Sequence, residues 1–312
     1  MRIRIALAFL LVSMLLAPAA EAALLYLDPA ETTVRPGDTF PVNVRIDPQG
    51  ECINAAEVNI GYPKGLLEVV DVSRGESIFP IWITAPTVKP EFGLLTMVGG
   101  VPGGYCGRTP GDPSLTNILA KLIVRVPSGV DLLPARVRLA FLPSSLIVLH
   151  DGRGTEARTV FENAQFTVSA SGTPRANVWT DALANDKTAP EMFVIEVHRE
   201  PSVLDNKYFA VFSTVDKQTG LDYYEVSETR DMTLDLVRDR SKLSFRRADS
   251  PYVLQDQDLR SIVRVRAVDK AGNERIAEYR LPEDQRGNRI FLWLFGTAAF
   301  FFIFLRVVRL FL

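Results

Sequence analysis

The chain has 312 residues, 47% of them hydrophobic and 23% charged, with a formal net charge of −2. That length accommodates two ordinary domains plus segments devoted to targeting. A charge balance this close to neutral excludes the basic excess that holds a polyanion through many phosphate contacts, so nucleic acid is not an expected partner.

The N-terminus reads Met1-Arg2-Ile3-Arg4, then a largely apolar run from Ile5 to Leu16, then Ala17-Pro18-Ala19-Ala20-Glu21-Ala22. A basic start, an apolar stretch and small residues at the end predict a secretory signal peptide over 1–22, cleaved after Ala22; an uncleaved signal anchor is the alternative. From Leu24 to about Val168, short alternating segments are separated by Gly, Pro, Asp and Asn turns, the pattern of an antiparallel β-sandwich. Phe40, Val42, Val44 and Ile46 form one apolar face, Ala56, Val58, Ile60 and Tyr62 another, and Val137, Leu139 and Phe141 a third. Cys52 and Cys106 are the two cysteines, both in the region expected to be exported, where oxidation is permitted. A disulfide between them is expected, with two free buried thiols as the alternative.

Residues 169–189, rich in small, polar and turn-forming side chains, read as an interdomain linker. A second β module is expected over 190–282, with Phe193, Ile195 and Val197, then Phe209 and Val211, Tyr224 and Val226, Tyr252 and Leu254, and finally Val263, Val265 and Ala267 as apolar strand positions. At the C-terminal end, Ile290 to Leu305 carries no charge and is followed by Arg306 and Arg309. The stretch 290–312 therefore reads as one transmembrane helix, its uncharged part about 24 Å long, with arginines able to snorkel. With the signal peptide, this orientation leaves the bulk of the chain, residues 23 to about 289, outside the cytoplasm.

Several ordered features of the first module carry a family resemblance. Val34-Arg35-Pro36-Gly37-Asp38-Thr39-Phe40-Pro41-Val42 is followed by AEVNIGYPKGLLEVV from Ala56 to Val70, the glycines from Gly99 to Gly104, Ile118-Leu119-Ala120-Lys121-Leu122, and a closing strand from Phe161 to Val168. In this order they resemble a cohesin domain over 23–168. The resemblance implies a jelly-roll-like sandwich related to carbohydrate-binding modules, whose best-known members bind dockerin through one sheet face. The outward positions of the hallmark strand are then Ala55, Glu57 and Asn59. Glu57 stands where dockerin-binding cohesins carry Asp, Ala55 replaces their usual Asn, and Gly100 stands where they place an acidic residue. The second module is similar to bacterial Ig-like and fibronectin type III-like domains through Gly220-Leu221-Asp222-Tyr223-Tyr224-Glu225-Val226 and Ala267-Val268-Asp269-Lys270-Ala271-Gly272-Asn273. Local turn geometry accounts for the second of these segments.

Catalytic chemistry finds little purchase. The two histidines, His150 and His198, fall in different modules at strand ends, and the cysteines are too few for a structural zinc site. Asp216 with Asp222, or Asp269 with Asn273, could offer oxygen ligands to calcium, but these read as solvated turn residues and no EF-hand pattern is present. Trp82, placed by alternation on the face opposite Phe79, is either core packing or an exposed aromatic platform. The expected class is all-β: a jelly-roll-like cohesin sandwich, an Ig/FnIII-like sandwich and one membrane helix. The expected function is a membrane-anchored, extracytoplasmic binding or scaffold protein that engages a protein partner, dockerin-like or other, through Ala55, Glu57, Asn59 and Gly100. Polysaccharide binding by the same module is the alternative, a glycoside hydrolase the third reading, and no catalytic residue, metal or cofactor is assigned.

Overall fold

The computed structural model describes residues 22–108, 117–130, 134–171, 174–229 and 243–280. The signal peptide apart from Ala22, and the stretch 290–312, lie outside the described residues; among those described, no helix is long and apolar enough to cross a membrane. The chain divides into two compact units, one of residues 1–188 with 215–221 and the other of 189–214 with 222–312.

Unit 1 is built from strands Ala23–Asp28 (β1), Glu31–Val34 (β2), Thr39–Asp47 (β3), Ile53–Gly61 (β4), Glu68–Ser73 (β5), Ile81–Lys89 (β6), Leu94–Tyr105 (β7), Ile118–Arg125 (β8), Ala135–Phe141 (β9), Leu146–Leu149 (β10), Thr159–Glu162 (β11) and Ala164–Val168 (β12). One sheet runs β11-β1-β3-β8-β5; the other runs β2-β12-β9-β4-β7-β6, with β10 also paired to β4. The predicted alternating sets Phe40/Val42/Val44/Ile46, Ala56/Val58/Ile60/Tyr62 and Val137/Leu139/Phe141 are all buried in a single core between the sheets, as period-two patterning dictates for a two-sheet sandwich.

The outsides of the two sheets differ. On the five-stranded sheet, β8 is buried on both faces, including Ile118, Leu119, Leu122 and Ile123, because its outer side is covered. Residues 169–189, read from the sequence as a linker, belong to unit 1 as far as Thr188 and contain the helix Val178–Asn185, which packs against β3. Asn177 caps this helix by accepting from the Trp179 and Thr180 amides, and the buried Trp179 donates its indole N–H to Asp71 Oδ2 at 3.1 Å. An eight-residue helix anchored by one tryptophan is too short to show a 3.6-residue period, so composition alone made it look like a linker.

The segment Val215–Leu221 also belongs to unit 1. The Ser73 hydroxyl donates to the Thr219 carbonyl at 2.6 Å, Arg74 to the Leu221 carbonyl at 3.0 Å, and the Thr219 hydroxyl to Asp186 Oδ2 at 2.7 Å. Two glycines permit this approach: a Cβ on Gly220 would lie 2.7 Å from the Gly75 amide nitrogen, and one on Gly75 would lie 2.9 Å from the Asp216 carbonyl.

Unit 2 contains Ile195–His198 (β13), Phe209–Phe212 (β14), Leu221–Thr229 (β15, begun in unit 1), Arg246–Arg247 (β16), Tyr252–Val253 (β17), Ile262–Asp269 (β18) and Glu274–Tyr279 (β19). They form two small sheets, β13-β14-β17 and β16-β15-β18-β19, around Ile195, Ala210, Phe212, Val226, Leu254, Val263 and Val265. Of the apolar strand positions Phe209 and Val211, Phe209 is buried and Val211 exposed, while Ala210 and Phe212 enter the core cluster. Phe-Ala-Val-Phe is apolar at every position, so alternation could not choose a face.

Gly220→Ala is expected to destabilise unit 1 by about 1–3 kcal/mol, since it adds a backbone clash to a left-handed φ of 88°. Gly129→Ala, whose Cβ meets nothing within 4 Å, is the matched control. Thermal melts of the two variants beside the parent chain check this, and equal melting temperatures for all three would contradict it.

Candidate functional site

Strand β4 is the organising element of the second sheet. On one edge it pairs antiparallel with β7 from Ala55↔Gly100 to Gly61↔Leu94. On the other it pairs with β10 through Leu146↔Glu57, Ile147↔Ala56 and Val148↔Ala55, and with β9 through Ile60↔Phe141. Strand β6 extends the sheet beyond β7, with Ile81↔Gly100, Trp82↔Gly99 and Thr84↔Val98. Directly opposed residues share a face, so the register alone assembles the outer surface. Its first lateral row is Val148, Ala55, Gly100 and Ile81; its second is Leu146, Glu57, Val98 and Thr84.

In these two rows Glu57 is the single charged side chain, set among small and aliphatic neighbours. Val148, Leu146, Ala55 and Val98 are half-buried, and Ile81 is 48% exposed. Glu156, exposed and bridged to Val148, lies at one end of the first row, and Thr87, Thr96 and Asn59 follow beyond the second. Next to Glu156, the Thr155 hydroxyl hydrogen bond to Asp151, followed by that from the Arg153 amide, holds the Asp151 carboxyl below the usual range.

The structure thus brings all four residues singled out from the sequence into one region, in different capacities. Ala55 and Gly100 are direct cross-strand partners, and Glu57 is half-buried two residues along β4. Asn59 departs from the expectation of an outward contact residue, being only 7% exposed. Its amide N–H donates to the Ser145 hydroxyl at 2.9 Å, its carbonyl accepts from that hydroxyl at 3.0 Å and from the Leu142 amide at 2.8 Å, and its side-chain amide donates to Glu57 Oε1 at 2.9 Å and to the Ser144 carbonyl at 3.3 Å. Asn59 therefore fixes the turn that separates β9 from β10 and orients Glu57. A side chain at position 100 would be crowded, because a Cβ there would sit 3.0 Å from the Asn54 carbonyl oxygen.

Leu146, Val148, Val98 and Ile81 were not singled out from the sequence. The run Leu146-Ile147-Val148-Leu149 is uniformly apolar, and only its pairing with β4 shows that Ile147 points inward while its neighbours point out. Trp82 is not a surface platform. It packs against the core with Phe79 at 5.9 Å between ring centroids, edge to face, and carries the Arg74 guanidinium 5.8 Å from its ring. The expected opposition of Phe79 and Trp82 fails because β6 begins only at Ile81, after a bend at Pro80.

The remaining candidates lie elsewhere, and Asp216 and Asp269, expected as solvated turn residues, are buried. Asp216 is buried and accepts the Gln218 and Gly220 amides, Asp222 lies 3.7 Å from Lys270, and Asp269 accepts the Asn273 backbone and side-chain amides. His198 lies 3.1 Å from Glu196, and the His150 ring packs against Gly104. Cys52 and Cys106 form the expected disulfide.

No protein-family model and no curated protein matches the chain. Among solved structures, the chain is similar to the OlpC cohesin of a type I cohesin–dockerin complex from Clostridium thermocellum, with 14% identity over 49% of this chain and 97% of that one, at a TM-score of 0.38. It is also similar to the sixth cohesin of scaffoldin B from Acetivibrio cellulolyticus, solved with a Cel5 dockerin mutant, with 16% identity over 48% and 100% of the two chains and a TM-score of 0.37. A third likeness is the cohesin module of a Clostridium perfringens family 33 glycoside hydrolase, with 12% identity over 47% and 96% of the two chains and a TM-score of 0.34.

Asn59→Ala is expected to destabilise the chain by about 1–3 kcal/mol, because it removes both side-chain donations and leaves the Ser144 carbonyl and Glu57 without them. Chemical denaturation checks the value; an unchanged midpoint would show that the turn does not depend on this side chain.

Proposed function

We propose that the outer face of β10-β4-β7-β6 is a docking surface for a protein module, and that the chain is a non-catalytic binding or scaffold protein. The observation that carries this is the two-row apolar surface with Glu57 at its centre and a polar rim. Protein interfaces combine a desolvated apolar centre with a polar margin, and a central charge supplies orientation. Sugar binding draws on exposed aromatic rings or a polar groove; these rows contain no aromatic residue, and the nearby Trp82 packs inward. The sequence resemblance to cohesins points the same way, towards a dockerin-like or other protein partner.

In this reading the signal peptide directs export and the apolar stretch 290–312 holds the protein at a membrane, with the bulk of the chain outside the cytoplasm. Unit 2 serves as an Ig- or fibronectin-like spacer. The support for this arrangement is the sequence pattern at the two ends.

The test is affinity capture from native membrane and extracellular extracts with the oxidised, detergent-solubilised full chain, run beside a polysaccharide array. Glu57→Arg is expected to lower recovery of a defined protein at least tenfold. Arg138→Glu, on the polar half of the same sheet where Arg138 opposes Gln165, is expected to leave recovery unchanged. Glycan binding without a protein partner would contradict the proposal.

A further inference from the structure

The β4–β7 ladder is interrupted at the edge of the docking face. Pairing is regular up to Ala55↔Gly100, and the next pair is Ile53↔Tyr105. Two steps along β4 are thus matched by five along β7, and the excess is taken up by Val101-Pro102-Gly103-Gly104. Pro102 and Gly103 are exposed. Gly103 and Gly104 have φ of 87° and 80°, and a Cβ on Gly104 would lie 2.7 Å from the His150 ring. The excursion therefore leans towards the residue that follows β10, at the end of the Val148-Ala55-Gly100-Ile81 row.

Little ladder pairing holds its far end. Beyond Ile53↔Tyr105 the next residues of the two strands are Cys52 and Cys106, joined by the disulfide with Cα atoms 4.0 Å apart. Cys106 is exposed, and the Cys52 carbonyl accepts from the His150 amide at 2.8 Å. The covalent clasp thus ties β4, the end of the excursion and the end of β10 at one point. With two consecutive glycines inside it, the excursion has wide backbone freedom once released.

We propose that Cys52–Cys106 is a reducible clasp that sets the shape of the docking face, so that the oxidised protein presents an ordered rim and the reduced protein a loose one. This rests on the docking reading given above. The reductant is a dithiol. Its thiolate attacks Cys106 Sγ, the bond to Cys52 breaks with Cys52 leaving as thiolate, and the second thiol of the reductant then displaces Cys106. The reductant departs as its disulfide, and two electrons and two protons reside on Cys52 and Cys106 as thiols.

Hydrogen–deuterium exchange on the solubilised full chain tests the clasp, comparing the oxidised form, the form reduced with dithiothreitol, and the Cys52→Ser/Cys106→Ser double variant. Amides of Gly100, Val101 and Gly103 to Tyr105, and of Ile53 to Glu57, are expected to exchange at least tenfold faster in the latter two, with β3 and β8 unchanged. Unchanged exchange in the rim, or an equal rise in every strand, overturns the proposal. Failure of the docking reading shows separately: the oxidised chain then captures no protein in a Glu57-dependent way, and the rim loses its assigned role.

Discussion

The register of β4 is the constraint from which the rest of unit 1 follows. Paired on both edges, it faces β7 on one side and the β9/β10 pair on the other, so a single choice of which residues point inward is imposed on its neighbours. Burying Ala56, Val58 and Ile60 places Ile147, Met97 and Gly99 in the same core, and it turns Leu146, Val148, Val98 and Gly100 outwards. A slip of one residue would exchange the two sets and put Glu57 into the core, where an unpaired carboxylate costs several kcal/mol, about 3–5 by analogy with a broken buried ion pair. The same placement that secures the fold creates the surface.

The two sheets treat their outer sides differently. The outer side of the five-stranded sheet carries Asn43, Arg45, Lys121 and Asp71 beside Pro41 and Ile123, and the helix Val178–Asn185 packs on it, with Trp179 bonded to Asp71. The apolar half of the other sheet has no such cover among the described residues. Its edge strand β6 carries Pro86, Lys89 and two register shifts against β7, features that discourage a strand from adding to the edge. Contact through the sheet face, with side chains rather than main chain as the recognition elements, fits both observations. The Asn59 network then has a clear purpose: it holds the β9–β10 turn in place and orients the one acid that the face presents.

Much of this was legible in the sequence. The alternating runs in β3, β4 and β9 named the correct core residues, and the position of two cysteines in a region expected to be exported pointed to the disulfide. What escaped detection lacked a periodic signal. Leu146 to Leu149 and Phe209 to Phe212 are apolar throughout, so pairing partners decide their faces. Helix Val178–Asn185 depends on one tryptophan, and the Gly75–Gly220 contact joins residues far apart in sequence. Asn59 was placed on the correct side of β4, yet its burial depends on Ser144 and Ser145, which reach it across a turn invisible to local pattern.

The most direct test of the account is hydroxyl-radical footprinting of the full chain with and without its co-purified partner. The account predicts protection concentrated at Ile81, Val98, Leu146 and Val148, with Arg136, Arg138 and the unit 2 strands unchanged. Protection centred on the polar half of the sheet or on unit 2, with those four side chains as reactive as in the free protein, would contradict it.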